Sequence, residues 1–188
     1  MGYPKALLPY RKELFVDALV ELFSRHCSPV IVVVGAHAEQ IRAGARQPAT
    51  FVTNRDWRRG QTSSLQCGLA EIPFSAEGVL LTLVDHPAVS PATVERLLGL
   101  GPPEPTSPGP GLSEPLLRIP RYHSRGGHPI WFSREVIPEL LAVSEPLTAK
   151  DVVHAHRAET LFLDVDDPGV VADIDDREAY QRLIGAGS

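Results

Sequence analysis

The sequence predicts an α/β fold, built on an open, mostly parallel, Rossmann-like sheet with helices on its faces. Two runs, Val30 to Val34 and Gly78 to Val84, are almost entirely apolar and are bounded by turn-forming or polar residues. Such runs are typical of strands that are buried on both faces of a parallel sheet. Before the first run, the apolar residues from Leu14 to Phe23 recur with a helical period. Strands that alternate with helices indicate right-handed crossover connections.

The rest of the chain continues this alternation. Ser90 and Pro91 precede a helix-forming segment at residues 92–98, and they fit the N-cap and the first position of a helix. By similar reasoning, further helices are predicted over residues 38–43, 63–72 and 134–141 and from about Asp176, and further strands over residues 49–53, 116–119, 129–132 and 160–165.

Length and composition favour one domain over residues 1–188. A chain of 188 residues can bury a substantial core. Residues 99–115 contain six prolines among glycines and serines, and such a segment forms neither a sheet ladder nor a helix. We expect a mobile surface loop within the domain there, because neither flank alone would hold a sufficient core.

Charge and cysteine content narrow the class of function. The 18 basic and 23 acidic side chains give a formal net charge of −5. This balance does not favour binding to nucleic acid or to a membrane surface, since both need a concentrated basic face. Cys27 and Cys67 lack a metal-ligand spacing, and the first residues do not resemble a signal peptide. We therefore expect a cytoplasmic protein without a disulfide framework.

Asp85 is the first candidate for chemistry. It directly follows the second apolar run, and open α/β sheets bind ligands beyond the carboxyl ends of their strands. A carboxylate at that edge can hold a divalent cation against phosphate groups. Alternatively, Asp85 caps the turn that follows it.

A second acidic group lies near the carboxyl terminus, in the run Asp173-Ile174-Asp175-Asp176. In an extended segment, residues two apart share a face, so Asp173 and Asp175 can both point at one cation. Alternatively, Asp175 or Asp176 is the N-cap of the terminal helix. A phosphatase nucleophile in a D-x-D motif is less favoured, because that motif is expected after an early strand.

Two glycine-containing turns are candidate ligand contacts. Gly60 precedes Ser63 and Ser64 at a predicted helix start, where small hydroxyl groups and free N–H groups suit a ligand. An ordinary helix cap explains one of these serines equally well. Gly127 precedes His128, which either reaches a ligand from its turn or has a purely structural role.

Two other patterns carry less weight. His154 and His156 are spaced to share a strand face and bind a metal, but no third ligand is evident nearby. The Gly35-Ala36-His37 segment after the first strand lacks the G-x-G-x-x-G pattern of dinucleotide-binding folds.

In their order and spacing, these segments resemble the MobA-like nucleotidyltransferases that join a nucleotide to molybdopterin, and most closely the molybdenum cofactor cytidylyltransferase branch. The opening signature of that family is L-A-A-G-x-S-x-R-M-G-x-P-K-x-L-L. The matching segments are Met1 to Leu8 for its second half, Val32 to Gly35 for the second strand, Asn54 to Gly68 for N-x-x-W-x-x-G-x-x-x-S-L-x-x-G, Asp85-His86-Pro87 for a D-Q-P metal motif, Gly127-His128-Pro129 for a G-H-P turn, and Asp173-Ile174-Asp175 for a terminal D-I-D.

The resemblance implies transfer of a nucleoside monophosphate, CMP in this branch, from a triphosphate to molybdopterin, with release of pyrophosphate, in molybdenum cofactor biosynthesis. Positioning and charge neutralisation dominate such a transfer. The implied partners are CTP, molybdopterin, and a molybdoenzyme or its maturation factor. The implied roles are catalysis by Lys5 and Asp85, Mg²⁺ binding by Asp85, Asp175 and Asp173, nucleotide contacts from Gly2, Lys5, Asn54, Gly60, Ser63, Ser64 and Leu65, and acceptor contacts from Gly127 and His128.

The sequence departs from the family at its amino-terminal side. The resemblance implies a central opening strand and a glycine-rich phosphate loop, and the 188 residues contain neither. Without that strand, we expect two buried, β-branched strands to lack a neighbour. We therefore expect the gene product to begin roughly 15 to 20 residues earlier, about one strand and one loop.

Two other functions stay open. A non-catalytic relative would bind a partner without turnover, and titration with CTP, GTP and ATP in Mg²⁺ would distinguish it, because a pure scaffold should bind none of them. The second alternative is a nucleotidyltransferase that acts on another phosphorylated acceptor, such as a sugar phosphate.

Overall fold

The computed structural model describes residues 3–101 and 114–185. Helices and strands alternate along most of the chain, as the sequence predicts. In chain order the elements are β1 (Pro9–Tyr10), β2 (Glu13–Leu14), α1 (Phe15–Ser24), β3 (Ile31–Val34), α2 (Ala38–Gly44), β4 (Thr50–Thr53), α3 (Gln61–Leu69), β5 (Gly78–Leu81), α4 (Pro91–Leu97), β6 (Leu117–Tyr122), β7 (Arg125–Gly126), β8 (Ile130–Ser133), α5 (Ile137–Ala142), α6 (Ala149–Ala155), β9 (Thr160–Asp164) and α7 (Arg177–Gly185).

The strands form a short hairpin and two larger groups. β1 and β2 make the antiparallel hairpin, and β3 and β4 pair in parallel. The five-stranded group has the order β5–β8–β6–β7, with β9 on the other edge of β6. In this group β5, β6 and β9 run in one direction, because β6 is parallel to β9 and both β5 and β6 are antiparallel to β8. The predicted α/β class, a mostly parallel sheet flanked by helices, is confirmed.

β3 and β5 are less buried than their sequence predicts. Their apolar composition predicts burial on both faces, yet the first three residues of β3 and all four of β5 are only half-buried. Within the described residues, β3 pairs only with β4, and β5 pairs only with β8. A cavity of about 1190 Å³ lies between the two strands and exposes one side of each. Within the described residues, each of the two strands therefore has a paired neighbour on one edge only.

Helix α1 connects the two groups of strands through its buried face. On one side, Val16 and Val20 pack in a cluster with Val34 of β3. On the other side, Leu19 and Phe23 pack in a cluster that includes α4. A third cluster fills the space between the five-stranded group and helices α3, α5 and α6. Within the two described ranges, no helix is both long enough and apolar enough to cross a membrane.

The predicted N-cap of α4 is confirmed, since the Ser90 side chain accepts a hydrogen bond from the N–H of Thr93 at 3.2 Å. The buried carboxylate of Asp167, just after β9, holds this cap in place. Its Oδ2 accepts hydrogen bonds from the N–H of Ser90 at 2.9 Å and from Oγ1 of Thr93 at 2.7 Å. Its Oδ1 accepts from the N–H of Gly169 at 2.9 Å. One side chain thus ties the start of α4 to the turn after β9.

We expect Asp167→Ala to lower the free energy of unfolding by about 2 to 4 kcal/mol, because it leaves buried N–H and O–H donors without an acceptor. Urea denaturation at neutral pH would measure this. The neighbouring Asp166 is exposed, and Asp166→Ala is the control, with an expected change within about 0.5 kcal/mol. Equal effects of the two substitutions would contradict the assigned role of Asp167.

Candidate active site

Three segments that are remote in sequence meet beyond the carboxyl end of β5. The N–H of Ile174 donates a hydrogen bond to the carbonyl oxygen of Asp85 at 3.0 Å. The N–H of His128 donates to the carbonyl oxygen of Val170 at 2.8 Å. These main-chain hydrogen bonds bring the acidic carboxyl-terminal segment to Asp85 and tie the His128 turn to the 3₁₀ turn that precedes the segment. Strand ends are where open α/β sheets place their ligands.

Lys5 joins the two acidic segments through its side chain. Its Nζ lies 2.6 Å from Oδ1 of Asp175 and 3.6 Å from Oδ2 of Asp85. Partial burial lowers the pKa of Lys5, but the hydrogen bond to Asp175 and the charges of both carboxylates outweigh it, so that the pKa is raised overall. The same hydrogen bond and the Lys5 charge lower the pKa of Asp175. Lys5 and Asp175 therefore stay charged near neutral pH.

The backbone that carries Lys5 is anchored in the core. Residues 5–7 form a 3₁₀ turn in which Ala6 and Leu7 are buried. Leu7 lies so close to Gly44 in α2 that a Cβ atom at Gly44 would be 2.8 Å from the leucine side chain. The polar end of Lys5 extends from this turn toward Asp85. The packing of Ala6 and Leu7 therefore fixes the position from which the ammonium group reaches the carboxylate.

His86 and His128 form a pair of imidazoles beside Asp85. Their ring centroids are 4.9 Å apart with an interplanar angle of 44°, and His86 is only 6% exposed. Burial, followed by the neighbouring His86, lowers the pKa of His128 to about 4. Nδ1 of each imidazole and Oδ1 of Asp85 are buried without a hydrogen-bond partner. Buried polar atoms are normally paired, and Nε2 of His86 lies 3.8 Å from Oδ1 of Asp85, so the imidazole pair contacts the carboxylate.

The described residues contain no group of three His, Cys, Asp or Glu side chains arranged to ligate one metal ion. The predicted ligand set of Asp85, Asp173 and Asp175 is therefore not assembled as a closed site. Mg²⁺ is commonly held by one or two carboxylates together with substrate phosphates and water. The unpaired Oδ1 of Asp85 and the neighbouring Asp175 fit such an open arrangement. Their role in metal binding stays a prediction.

The predicted nucleotide contacts form a second cluster between β4 and α3. Nδ2 of the buried Asn54 donates to Oγ of Ser63 at 2.9 Å and to Oγ of Ser64 at 3.0 Å. Oδ1 of Asn54 accepts from the N–H of Asp56 at 2.9 Å, and Oγ of Ser63 donates to the carbonyl oxygen of Gly60 at 2.8 Å. The structure thus brings these residues together, and their side chains bond mainly to one another and shape the turn.

The remaining residues of the predicted nucleotide set have different positions. Gly60 has a φ of 98° immediately before α3, a conformation that favours glycine. Leu65 packs against the core cluster of Leu117 and Phe132, which indicates that its side chain is mainly structural. Gly2 lies outside the described residues, as do residues 102–113 of the predicted mobile loop.

The glycine at position 127 is explained by close packing. A Cβ atom there would collide with the carbonyl oxygen of Val170, so no larger residue fits without movement of the backbone. The same contact sets the His128 main-chain hydrogen bond and therefore the position of the imidazole. An acceptor contact by Gly127 itself stays a prediction.

Two local interpretations of the sequence are now settled. The less favoured alternative, in which His154 and His156 share a strand face, is excluded, because His154 lies in α6 and His156 at its end, where Nε2 is 2.8 Å from Oε2 of Glu139. The N-cap interpretation of Asp176 is confirmed, since its Oδ1 accepts from the N–H of Ala179 in α7 at 2.7 Å. No local sequence pattern indicates the pairing of Lys5 with Asp175.

The fold and the site together define the class of protein. A mostly parallel α/β sheet that carries a lysine and two carboxylates beyond a strand end is suited to bind phosphate groups and a divalent cation. The family described as MobA-like NTP transferase domain matches residues 1–160. The chain belongs to this family of nucleotidyltransferases.

Known proteins are similar over almost the whole chain. Nicotine blue oxidoreductase of Paenarthrobacter nicotinovorans is 33% identical over 184 residues, which cover 96% of this chain and 88% of that protein. The crystal structure of Rv0371c from Mycobacterium tuberculosis has a TM-score of 0.80 and 30% identity, covering 98% of this chain and 90% of that one. A manganese complex of Rv0371c has a TM-score of 0.75 and 31% identity, covering 98% and 93%. A nucleotidyl transferase from Methanothermobacter shares the fold, with a TM-score of 0.77 and 18% identity, covering 97% and 84%.

The lowered pKa of His128 predicts a pH dependence of stability. Between its ordinary pKa of 6.5 and its folded value of about 4, the unfolded chain binds a proton that the folded chain does not. The free energy of unfolding therefore falls as the pH drops, by about 2 kcal/mol from this residue between about pH 7.5 and about pH 5. Urea denaturation in EDTA would show a smaller loss for His128→Asn than for the natural chain.

The control for this experiment is His123→Asn. His123 is exposed and has a φ of 47°, a conformation that asparagine tolerates well. We expect this variant to keep the pH dependence of the natural chain. An unchanged pH dependence in His128→Asn would contradict the burial of a neutral imidazole.

Proposed function

We propose that this chain transfers a nucleoside monophosphate, CMP in the first instance, from a nucleoside triphosphate to molybdopterin, with release of pyrophosphate, in molybdenum cofactor biosynthesis. The observation that carries the proposal is the position of Lys5, with Nζ 3.6 Å from Asp85 and 2.6 Å from Asp175. The contact of one cation with two carboxylates supports a centre for a triphosphate and its metal ion. Family membership supports the reaction class.

In the proposed reaction, a terminal phosphate oxygen of molybdopterin forms a bond to the α-phosphorus of the triphosphate. The bond from that phosphorus to the bridging oxygen of the β-phosphate breaks, and pyrophosphate leaves. Asp85 and Asp175 would hold a divalent cation, Mg²⁺, and its charge would offset the negative charge of the phosphate oxygens. Manganese is the metal in the Rv0371c complex, which supports a divalent cation for this chain as well.

Lys5 has the role of stabilising negative charge that develops on the phosphates. Its raised pKa keeps it protonated, and its anchored backbone means that little reorganisation is needed when the substrate binds. The proposed acceptor contact of His128 is supported by its position beside His86 and near Asp85. The cluster of Asn54, Ser63 and Ser64 would present the amino-terminal turn of α3 to the nucleotide.

Oxidoreductase activity is a second candidate function, and one observation favours it. The relative that is 33% identical is named nicotine blue oxidoreductase. The segment after β3, Gly35-Ala36-His37, does not have the glycine pattern with which dinucleotide-binding folds hold a nicotinamide cofactor. An assay of nicotine blue reduction with a nicotinamide cofactor would distinguish the two functions. Reduction of the dye without pyrophosphate release in the transferase assay would contradict our proposal.

We expect pyrophosphate release to need molybdopterin, a triphosphate and Mg²⁺, and to be fastest with CTP among CTP, GTP and ATP. The assay would use the 188-residue chain and a form preceded by a strand and a glycine-rich loop. Asp85→Asn should lower kcat at least about 100-fold, because one carboxylate of the metal pair is lost. Absence of release by both forms would contradict the proposal.

Asp175 and its neighbour Asp176 provide a test variant and a matched control variant. Asp175 contacts Lys5, whereas Asp176 caps α7. Asparagine caps a helix about as well as aspartate, so Asp176→Asn removes the same charge at a neighbouring position without loss of the cap. We expect Asp175→Asn to lower the rate and Asp176→Asn to leave it within about twofold. Equal loss in both variants would exclude a specific role for Asp175.

A further inference from the structure

Trp57 is an exposed aromatic side chain that neither the Lys5 centre nor the Asn54 cluster uses. It begins a 3₁₀ turn, Trp57–Arg59, between β4 and α3. Its relative exposure to solvent is 38%, although burial of a large aromatic ring would stabilise the fold. Aromatic side chains are common in the lining of small-molecule sites, so the exposed indole is a candidate ligand contact.

One side of the Trp57 side chain is held against main chain. A Cβ atom on Gly35, the residue after β3, would lie 2.5 Å from Cβ and 2.8 Å from Cγ of Trp57. The close approach of the tryptophan therefore depends on a glycine at this position. The turn is held as well, because the N–H of Asp56 donates to Oδ1 of Asn54 at 2.9 Å and the N–H of Arg59 donates to the carbonyl oxygen of Asp56 at 2.9 Å. These contacts hold the indole in place before any ligand binds.

The guanidinium of Arg58 shows that the ring of Trp57 accepts a planar group. Its Cζ lies 4.8 Å from the centroid of the indole ring, which is within the range of a cation–π contact. Arg58 is itself exposed, and cation–π contacts at exposed sites are weak. A planar ring with a larger stacking area can therefore take the place of the guanidinium.

Position distinguishes Trp57 from another exposed aromatic residue that carries an arginine. Phe74 is 95% exposed, and Cζ of Arg134 lies 5.1 Å from the centroid of its ring. The N–H of Arg134 donates to the carbonyl oxygen of Glu77, immediately before β5, so this pair lies at the amino end of that strand. Trp57 packs instead on Gly35, which follows the carboxyl end of β3. Ligands of open α/β sheets bind at carboxyl ends, so of these two pairs only the Trp57 pair is at such an end.

The ends of β3 and β5 come together next to Trp57. Val34 ends β3, and it packs in one cluster with Val84, which directly precedes Asp85. Gly35, against which Trp57 lies, directly follows Val34. Trp57 and Asp85 therefore lie close to the same apolar cluster, and one ligand of nucleotide size can contact both.

We propose that the exposed face of Trp57 is a stacking platform for a planar heteroaromatic ring, which displaces the guanidinium of Arg58. The ring belongs to a ligand whose phosphate groups reach the Lys5 centre, and it is either the base of the triphosphate or the fused ring of the acceptor. Stacking tolerates different bases, so the platform contributes affinity without setting base specificity. This inference rests on the proposed function, because that function supplies both rings.

The test measures three dissociation constants in Mg²⁺ by isothermal titration calorimetry: those of CTP, of neopterin monophosphate, and of inorganic tripolyphosphate, which has no ring. We expect Trp57→Ala to weaken binding of at least one ring-bearing probe by at least about fivefold and to leave tripolyphosphate within about twofold. The probe that loses affinity identifies which ring stacks. Trp57→Phe keeps an aromatic face and should bind that probe within about threefold of the natural chain.

Phe74→Ala is the matched control, because it removes an exposed aromatic ring with a stacked arginine at the other end of a strand. We expect all three dissociation constants of this variant to stay within about twofold of those of the natural chain. Equal losses in Phe74→Ala and Trp57→Ala would overturn the proposal, since the effect would then not depend on the position of the ring.

Three further results would overturn the platform. The natural chain could bind neither ring-bearing probe, Trp57→Ala could leave both affinities unchanged, or Trp57→Ala could weaken tripolyphosphate as much as the ring-bearing probes. The last result would mean that the substitution disturbs the whole site. Failure of the proposed reaction is distinct, because absence of pyrophosphate release would leave a ring-selective loss of binding in Trp57→Ala intact.

Discussion

The hydrogen bond from the N–H of Ile174 to the carbonyl oxygen of Asp85, 3.0 Å long, determines what the candidate site contains. It holds the acidic segment of residues 173–176 against Asp85, four residues beyond the end of β5. Ile174 is buried, whereas Asp173 and Asp175 on either side of it are exposed. Burial of Ile174 thus leaves the neighbouring Asp175 at the surface, where its carboxylate pairs with Lys5.

A second constraint acts on the sheet. Main-chain groups in a buried strand need partners on both edges, and β3 and β5 have partners on one edge only within the described residues. The site lies at the ends of these two strands, and Lys5 is held over both of them.

Much of this structure could be predicted from local sequence patterns. The β-branched runs located β3 and β5, and Ser90-Pro91 located the start of α4, because each depends on residues close in sequence. The half-burial of the two strands and the pairing of Lys5 with Asp175, 170 positions apart, depend on sheet topology, which no local pattern encodes. The capping box of Thr148 and Asp151 at α6 also depends on residues close in sequence.

The central claim is that Lys5, Asp85 and Asp175 form one centre for a cation and phosphate. The Lys5 ammonium lies against both carboxylates, so we expect it to compete with a metal ion when no nucleotide is present. Titration of Mn²⁺ into the natural chain and Lys5→Met, followed by electron paramagnetic resonance, tests this directly. We expect the variant to bind Mn²⁺ at least about tenfold more tightly, and Asp85→Asn in that background to reverse the gain. Equal affinity of the natural chain and Lys5→Met would contradict a shared centre.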